Sequence, residues 1–195
     1  MKKSLLTGVS MVVLGLTLTG CSLFPKANGI ILYGDEQQIT DSLDQEKENL
    51  IEEEQFTIKL ADEEEQRIMI MNEETAHALI EKGLIMKVKN ANESEAISSI
   101  PELAQGESIL FAKEVRNEIS IEGQSFDVKY EANNIIGDGR IYVDMFLIVD
   151  DTDWPSIKGK EKTLAIMEYK SDPSDRMGLF DVEGTQLVKI SEYIE

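Results

Sequence analysis

The sequence predicts a mainly β fold, an antiparallel sheet or a two-sheet sandwich carrying short helices, with an α+β arrangement as the competing reading. Three observations carry this prediction. Phe126, Val128 and Tyr130 alternate with Asp127, Lys129 and Glu131, the period of a strand with one buried face. Ile141, Val143, Met145, Leu147 and Val149 face one way while Tyr142, Phe146 and Ile148 face the other, so residues 141–149 read as a central strand. The dipeptides Glu122-Gly123, Asp138-Gly139 and Glu183-Gly184 punctuate these runs at the spacing of hairpins, not of βαβ units.

The first segment is a leader. Met1-Lys2-Lys3 supplies a positive start, Leu5 to Leu18 an apolar run, and Leu18-Thr19-Gly20 a small-residue finish before Cys21. The run falls short of the roughly 20 apolar residues that a membrane-crossing helix needs. Leu18-Thr19-Gly20-Cys21 resembles the lipobox of bacterial lipoproteins at all four positions. That resemblance implies that residues 1–20 are a cleaved signal peptide and that the Cys21 thiol carries a diacylglycerol thioether, with room for a further N-acyl chain. It further implies a mature chain anchored by lipid on the extracytoplasmic face of the cell membrane. Two acyl chains anchor stably where one holds only marginally, at ~0.8 kcal/mol per buried CH₂. Cys21 is the only cysteine, so the exported domain folds without a disulfide.

Without Lys2 and Lys3 the chain has 17 basic and 38 acidic residues, a formal charge of −21. Such a balance excludes binding to nucleic acid through phosphate neutralisation. It suits solubility, and it attracts cations or a basic partner. The acid is concentrated between Asp35 and Glu74, where 15 carboxylates meet Lys47, Lys59 and Arg67. With the loop-like Ser22 to Gly34 ahead of it, residues 21–54 read as a lipid-anchored acidic tether, with a short helix from Ser42.

Residues 55–106 form the N-terminal part of the expected domain. Phe56, Ile58 and Leu60, then Ile68 and Ile70, alternate as a hairpin closed by Asp62-Glu63-Glu64-Glu65. Glu73 to Lys82 reads as a helix stopped by Gly83, with Ala76, Leu79 and Ile80 inward. Glu73, His77 and Glu81 share one face of it, a spacing that permits metal ligation but is also common on wet helix surfaces. Leu84 to Lys89 reads as a strand, and Leu84 to Ser94 is similar to a strand and turn of telokin-like, immunoglobulin-type domains in Gram-positive surface lipoproteins. This similarity gives the predicted sandwich an immunoglobulin-like form and the envelope a Gram-positive type. Residues 95–105 read as a short helix or irregular connection.

Residues 107–195 form the antiparallel β-rich part, with further strands at 163–169, 177–182 and 186–190. For chemistry, the sequence holds no nucleophile elbow, phosphate loop, dinucleotide fingerprint or cysteine and histidine cluster. One constellation stands out: Asp150, Asp151 and Asp153 flank Trp154, the sole tryptophan. Turn and capping chemistry accounts for such a sequence, and a lip for a basic peptide, a cation or an envelope protein is the sharper reading. The expected function is a non-catalytic binding module without a cofactor. A carboxylate- or metal-dependent hydrolase at the cell surface is the alternative.

Overall fold

The computed structural model describes residues 26–191 except Asp138. Residues 1–20, expected to be a leader, and Cys21 lie outside the described residues. The chain opens with strand β1 (Gly29–Gly34) and helix α1 (Glu36–Glu46), then the long β2 (Leu50–Glu63), β3 (Gln66–Asn72) and helix α2 (Glu73–Glu81). There follow β4 (Ile85–Asn90), β5 (Glu93–Ala96), β6 (Ser108–Phe111), β7 (Glu118–Ile121), β8 (Gln124–Asp127) and β9 (Lys129–Ala132). The chain closes with β10 (Asn134–Ile136), β11 (Met145–Val149), β12 (Lys160–Tyr169) and β13 (Gly184–Val188).

Eight strands make one mixed sheet in the order β13-β1-β12-β2-β3-β11-β6-β9. The β3–β11 and β6–β9 pairs are parallel, and the others antiparallel. The mainly β expectation with short helices holds. Its sandwich form gives way to a single large sheet, and the β4–β5 hairpin that carried the immunoglobulin resemblance belongs to a small β10-β4-β5 sheet.

Strand alternation divides the core. Ile31, Tyr33, Met69 and Met71 point to one face, where Ala76, Leu79 and Ile80 of α2 cover them together with Ile85 and Ile136. Their neighbours point to the other. There Ile30 and Leu32 meet Ile39 and Leu43 of α1, while Ile68, Ile70 and Leu147 meet Ile119 and Ile121 of the β7–β8 hairpin.

The tether expectation is overturned for residues 29–54. Ile30, Ile31 and Leu32 are 0 % exposed, and β1 pairs with both β12 and β13. Four apolar residues in a row, without alternation, are the pattern of a strand buried on both faces. The helix starts at Glu36 and not Ser42, because the Asp35 backbone N–H donates to Gln38 Oε1 across the first turn (3.0 Å). Ser42 sits inside that helix, its hydroxyl donating to the Gln38 carbonyl.

The parts on either side of residue 106 are joined, since β2 pairs with β12 and β3 with β11 in the large sheet, and β4 with β10 in the small one. Glu95 and Ala96 complete β5, and residues 97–105 take the irregular option. The expected central strand shortens to β11, since Asp144 turns aside to accept the Arg67 N–H, and Ile141 is exposed. The alternation at 126–130 breaks at Val128, which separates β8 from β9. No strand forms at 177–182. Arg176 instead grips the buried Glu46 carboxylate through both oxygens (2.9 and 2.7 Å) and holds that loop against α1.

Candidate functional site

The predicted lip is brought together, and its carboxylates are committed to backbone amides. Asp150 accepts the Thr152 N–H (2.9 Å), Asp151 accepts the Glu74 N–H in the first turn of α2 (3.3 Å), and Asp153 accepts the Gly106 N–H. Trp154 begins a short 3₁₀ turn and packs on the Ile68 and Leu147 side of the core. The buried Lys59 ammonium lies 4.4 Å from its ring centroid and donates to the Trp154 and Ile157 carbonyls (2.9 and 2.8 Å). The lip therefore staples the loop after β11 to β2, to α2 and to the connection ahead of β6. A groove of ≈ 330 Å³ lies beside Asp153, walled by Glu107, Phe126 and Asp127.

Of the acid cluster at 62–65, Glu63 is similarly engaged. Glu63 takes Arg116 (2.6 Å) and the Ser120 N–H (2.7 Å), which clamps the β7–β8 hairpin to β2. The Glu73, His77 and Glu81 trio divides. Glu73 accepts the Leu103 N–H, whereas His77 and Glu81 face a groove. Among the described residues no group of three or more His, Cys, Asp or Glu is placed to hold a metal ion.

The densest titratable cluster was not legible from local patterns. Lys162 on β12, its side chain 1 % exposed, donates to Asp35 (2.6 Å) and to Glu183. Tyr142 Oη donates to Glu183 (2.6 Å), and its ring stacks on Tyr33 at 4.6 Å between centroids. Its members come from residues 35, 142, 162 and 183, which only the folded sheet unites. Burial, then donation to Glu183, push the Tyr142 pKa up. The Lys162 ammonium, then the Tyr142 hydroxyl, hold Glu183 below the usual carboxylate value. For Lys162, burial works against the charge, yet the Asp35 and Glu183 bonds outweigh it and its pKa is raised.

These directions predict a stability plateau. A carboxylate with a lowered folded pKa stabilises above its unfolded value, and that contribution disappears as the pH falls from about 5 downward. The raised Tyr142 and Lys162 stabilise fully below their ordinary values of 10.0 and 10.5, and lose that contribution as the pH climbs past them. Denaturant melts across pH are expected to show both limbs. Glu183→Gln should flatten the acid limb and Tyr142→Phe the alkaline one. Limbs unchanged in these variants would assign the pH dependence to other groups.

The third feature is a groove of ≈ 430 Å³ lined by Glu54, Gln55, Phe56, Glu74, His77, Ala78 and Glu81. Its floor is β2 where that strand lacks one neighbour. β12 pairs with β2 from Leu50 to Leu60, whereas β3 joins β2 only at Lys59 and beyond. The gap opens because Asn72 caps α2, its side chain accepting the Thr75 N–H (3.2 Å), and so turns the chain off the sheet. Among the described residues, none pairs with that side of residues 51–58. The sequence signal was Ile51-Glu-Glu-Glu-Gln-Phe56, which its acidity disguised as tether.

Together these features define a β-rich, mixed-sheet domain with an open strand edge beneath a helix. Residues 27–191 match an uncharacterised lipoprotein family, and the chain belongs to that family. The chain is also similar to a Bacillus anthracis protein described as a lipoprotein, whose 1.5 Å crystal structure superposes with a TM-score of 0.78 at 30 % identity, covering 85 % of this chain and 100 % of that one. Comparison with curated proteins gives no match. Among the described residues no helix is long and apolar enough to cross a membrane.

Proposed function

We propose that this lipoprotein is held at the extracytoplasmic face of a Gram-positive-type membrane by acyl chains on Cys21. There it acts as a non-catalytic binding module, and its interaction surface is the groove between α2 and the open side of β2. The observation that carries this reading is the run of residues 51–58 without a second neighbour strand among the described residues, inside a sheet whose other strands are short at their free edges or paired on both sides. The Asp150 to Trp154 lip supports that surface from behind, since Asp151 fixes the backbone of Glu74, a groove residue. The titratable cluster at Lys162 supports it in another way. Its shifts run away from neutral pH, so Lys162 and Glu183 stay charged, Tyr142 stays neutral, and the cluster serves structure better than proton transfer.

The test places a photo-cross-linking side chain at Gln55 in living cells, with the exposed Lys113 as the control position. A defined adduct with an envelope protein from Gln55 alone is expected. Identical patterns from both positions, or none from Gln55, would move the interaction surface elsewhere. In the same cells Cys21→Ser should abolish lipid labelling and release the protein from the membrane fraction; undiminished retention would place the anchor on another segment.

A further inference from the structure

The partner's chemistry can be read from the groove, and this step rests on the proposal that the groove is the interaction surface. An antiparallel strand directs alternate N–H and C=O groups to each side, so residues 51–58 present unspent backbone donors and acceptors over roughly 20 Å. The outer sheet edges offer less. β9 is four residues long and β13 five. Ile51, at one end of the open stretch, is 62 % exposed, and Phe56, near the other, is half-buried and shared between two grooves.

Charge selects what covers it. The groove lining includes Glu54, Glu74 and Glu81 and neither lysine nor arginine. Lys82 reaches Glu52 (2.7 Å) and one oxygen of Glu54 (3.2 Å) from the end of α2. The second oxygen, Glu54 Oε2, is buried without a hydrogen-bond partner. A second copy of this chain is a poor occupant, because it would set Glu52, Glu53 and Glu54 against their own equivalents.

We propose that an extended, basic segment of another envelope protein adds to β2 at residues 51–57 as an extra strand. It takes the place a longer β3 would fill, with lysine or arginine side chains against Glu54, Glu74 and Glu81. Main-chain bonds supply the affinity, and the acidic wall of α2 selects the sequence. The segment alternates, since its α2-facing residues meet Glu54, Glu74 and Glu81, while the intervening ones lie beside Ile51, Glu53, Gln55 and Thr57 on the other face.

The experiment uses the mature chain carrying Cys21→Ser and three synthetic ten-residue peptides. One alternates lysine with valine, the second replaces two central valines by proline, and the third replaces every lysine by glutamate. Amide hydrogen exchange resolved by residue is read with and without each peptide. The lysine peptide is expected to slow exchange by about tenfold or more at those amides of residues 51–57 that point away from β12, and raising the salt past the point where the screening length falls to ~8 Å should weaken it. The other two peptides should leave these amides unchanged. Glu74→Lys and Glu81→Lys, both at exposed helix positions, should reduce binding about tenfold while melting like wild type.

Binding of the lysine peptide without protection at 51–57, or equal binding of the proline peptide, would overturn strand addition. Equal binding of the glutamate peptide would overturn the charge argument, and no binding by any peptide would overturn both. Cross-links from Gln55 in cells combined with such a failure would leave the groove as the interaction surface and remove only this account of its partner. Loss of those cross-links would remove the surface itself.

Discussion

A mature chain shortened to begin at Gln55 loses its cooperative melt. The deletion removes β1 from between β12 and β13, which leaves Met167, Ile166 and Leu164 of β12 facing water along one side. It also removes Ile30, Ile31, Leu32, Tyr33, Ile39 and Leu43, all at most 3 % exposed. At about 1.5–3 kcal/mol for each buried large apolar side chain, their loss approaches or exceeds the whole stability of a typical domain, about 5–15 kcal/mol. The Arg176 clamp would lose Glu46 as well, so the loop between β12 and β13 would come away with the helix. Circular dichroism during heating checks this. A cooperative melt with native strand content in the shortened chain would return residues 29–54 to the status of a tether.

The second large effect is expected at Gly137, which has a φ of 62°, in the left-handed region that costs an L-residue about 1–2 kcal/mol. A methyl group there would stand 2.5 Å from Gln186 Nε2 and 2.8 Å from Val188 Cγ1. Gln186 is 2 % exposed, donates to the Ile136 carbonyl (2.7 Å) and accepts from Tyr33 (3.3 Å). Pushing it aside would strip buried polar groups of partners, a further cost of about 1–3 kcal/mol. Gly137→Ala should therefore lose about 3 kcal/mol in urea melts. Gly123→Ala is the natural control. Its φ of 81° carries the same backbone strain, but nothing lies within 4 Å of the added methyl, so it should lose less than half as much. Equal losses would mean that the Gln186 network contributes nothing.

The sequence is informative where one physical rule acts locally. Alternation exposes β2, β3 and β7, and the stop at Gly83 marks the end of α2. It is less informative where burial on both faces erases alternation, as in Ile30-Ile31-Leu32-Tyr33. There a continuous apolar run stood next to an acid-rich stretch and was absorbed into it. The same acidity hid the open edge of β2, because Glu52 to Glu54 read as solvated charge whether the strand behind them is paired or not. The lip was visible as a constellation, but the amides that engage its carboxylates belong to Glu74, Gly106 and Thr152, two of them remote in sequence. The Lys162 cluster required the topology itself, since β1, β12 and the segment ahead of β13 meet only in the folded sheet.

Among the described residues the sheet is closed at β1 and open along one side of β2, and residue-resolved amide exchange on the unliganded protein tests this most directly. Amides of Ile30 to Tyr33, paired on both sides and buried, are expected to exchange only through global unfolding. Between residues 51 and 58, slow and fast amides should alternate, slow where the N–H meets β12 and fast where it points to the empty side. Uniformly slow exchange across 51–58, or fast exchange at 30–33, would contradict the account.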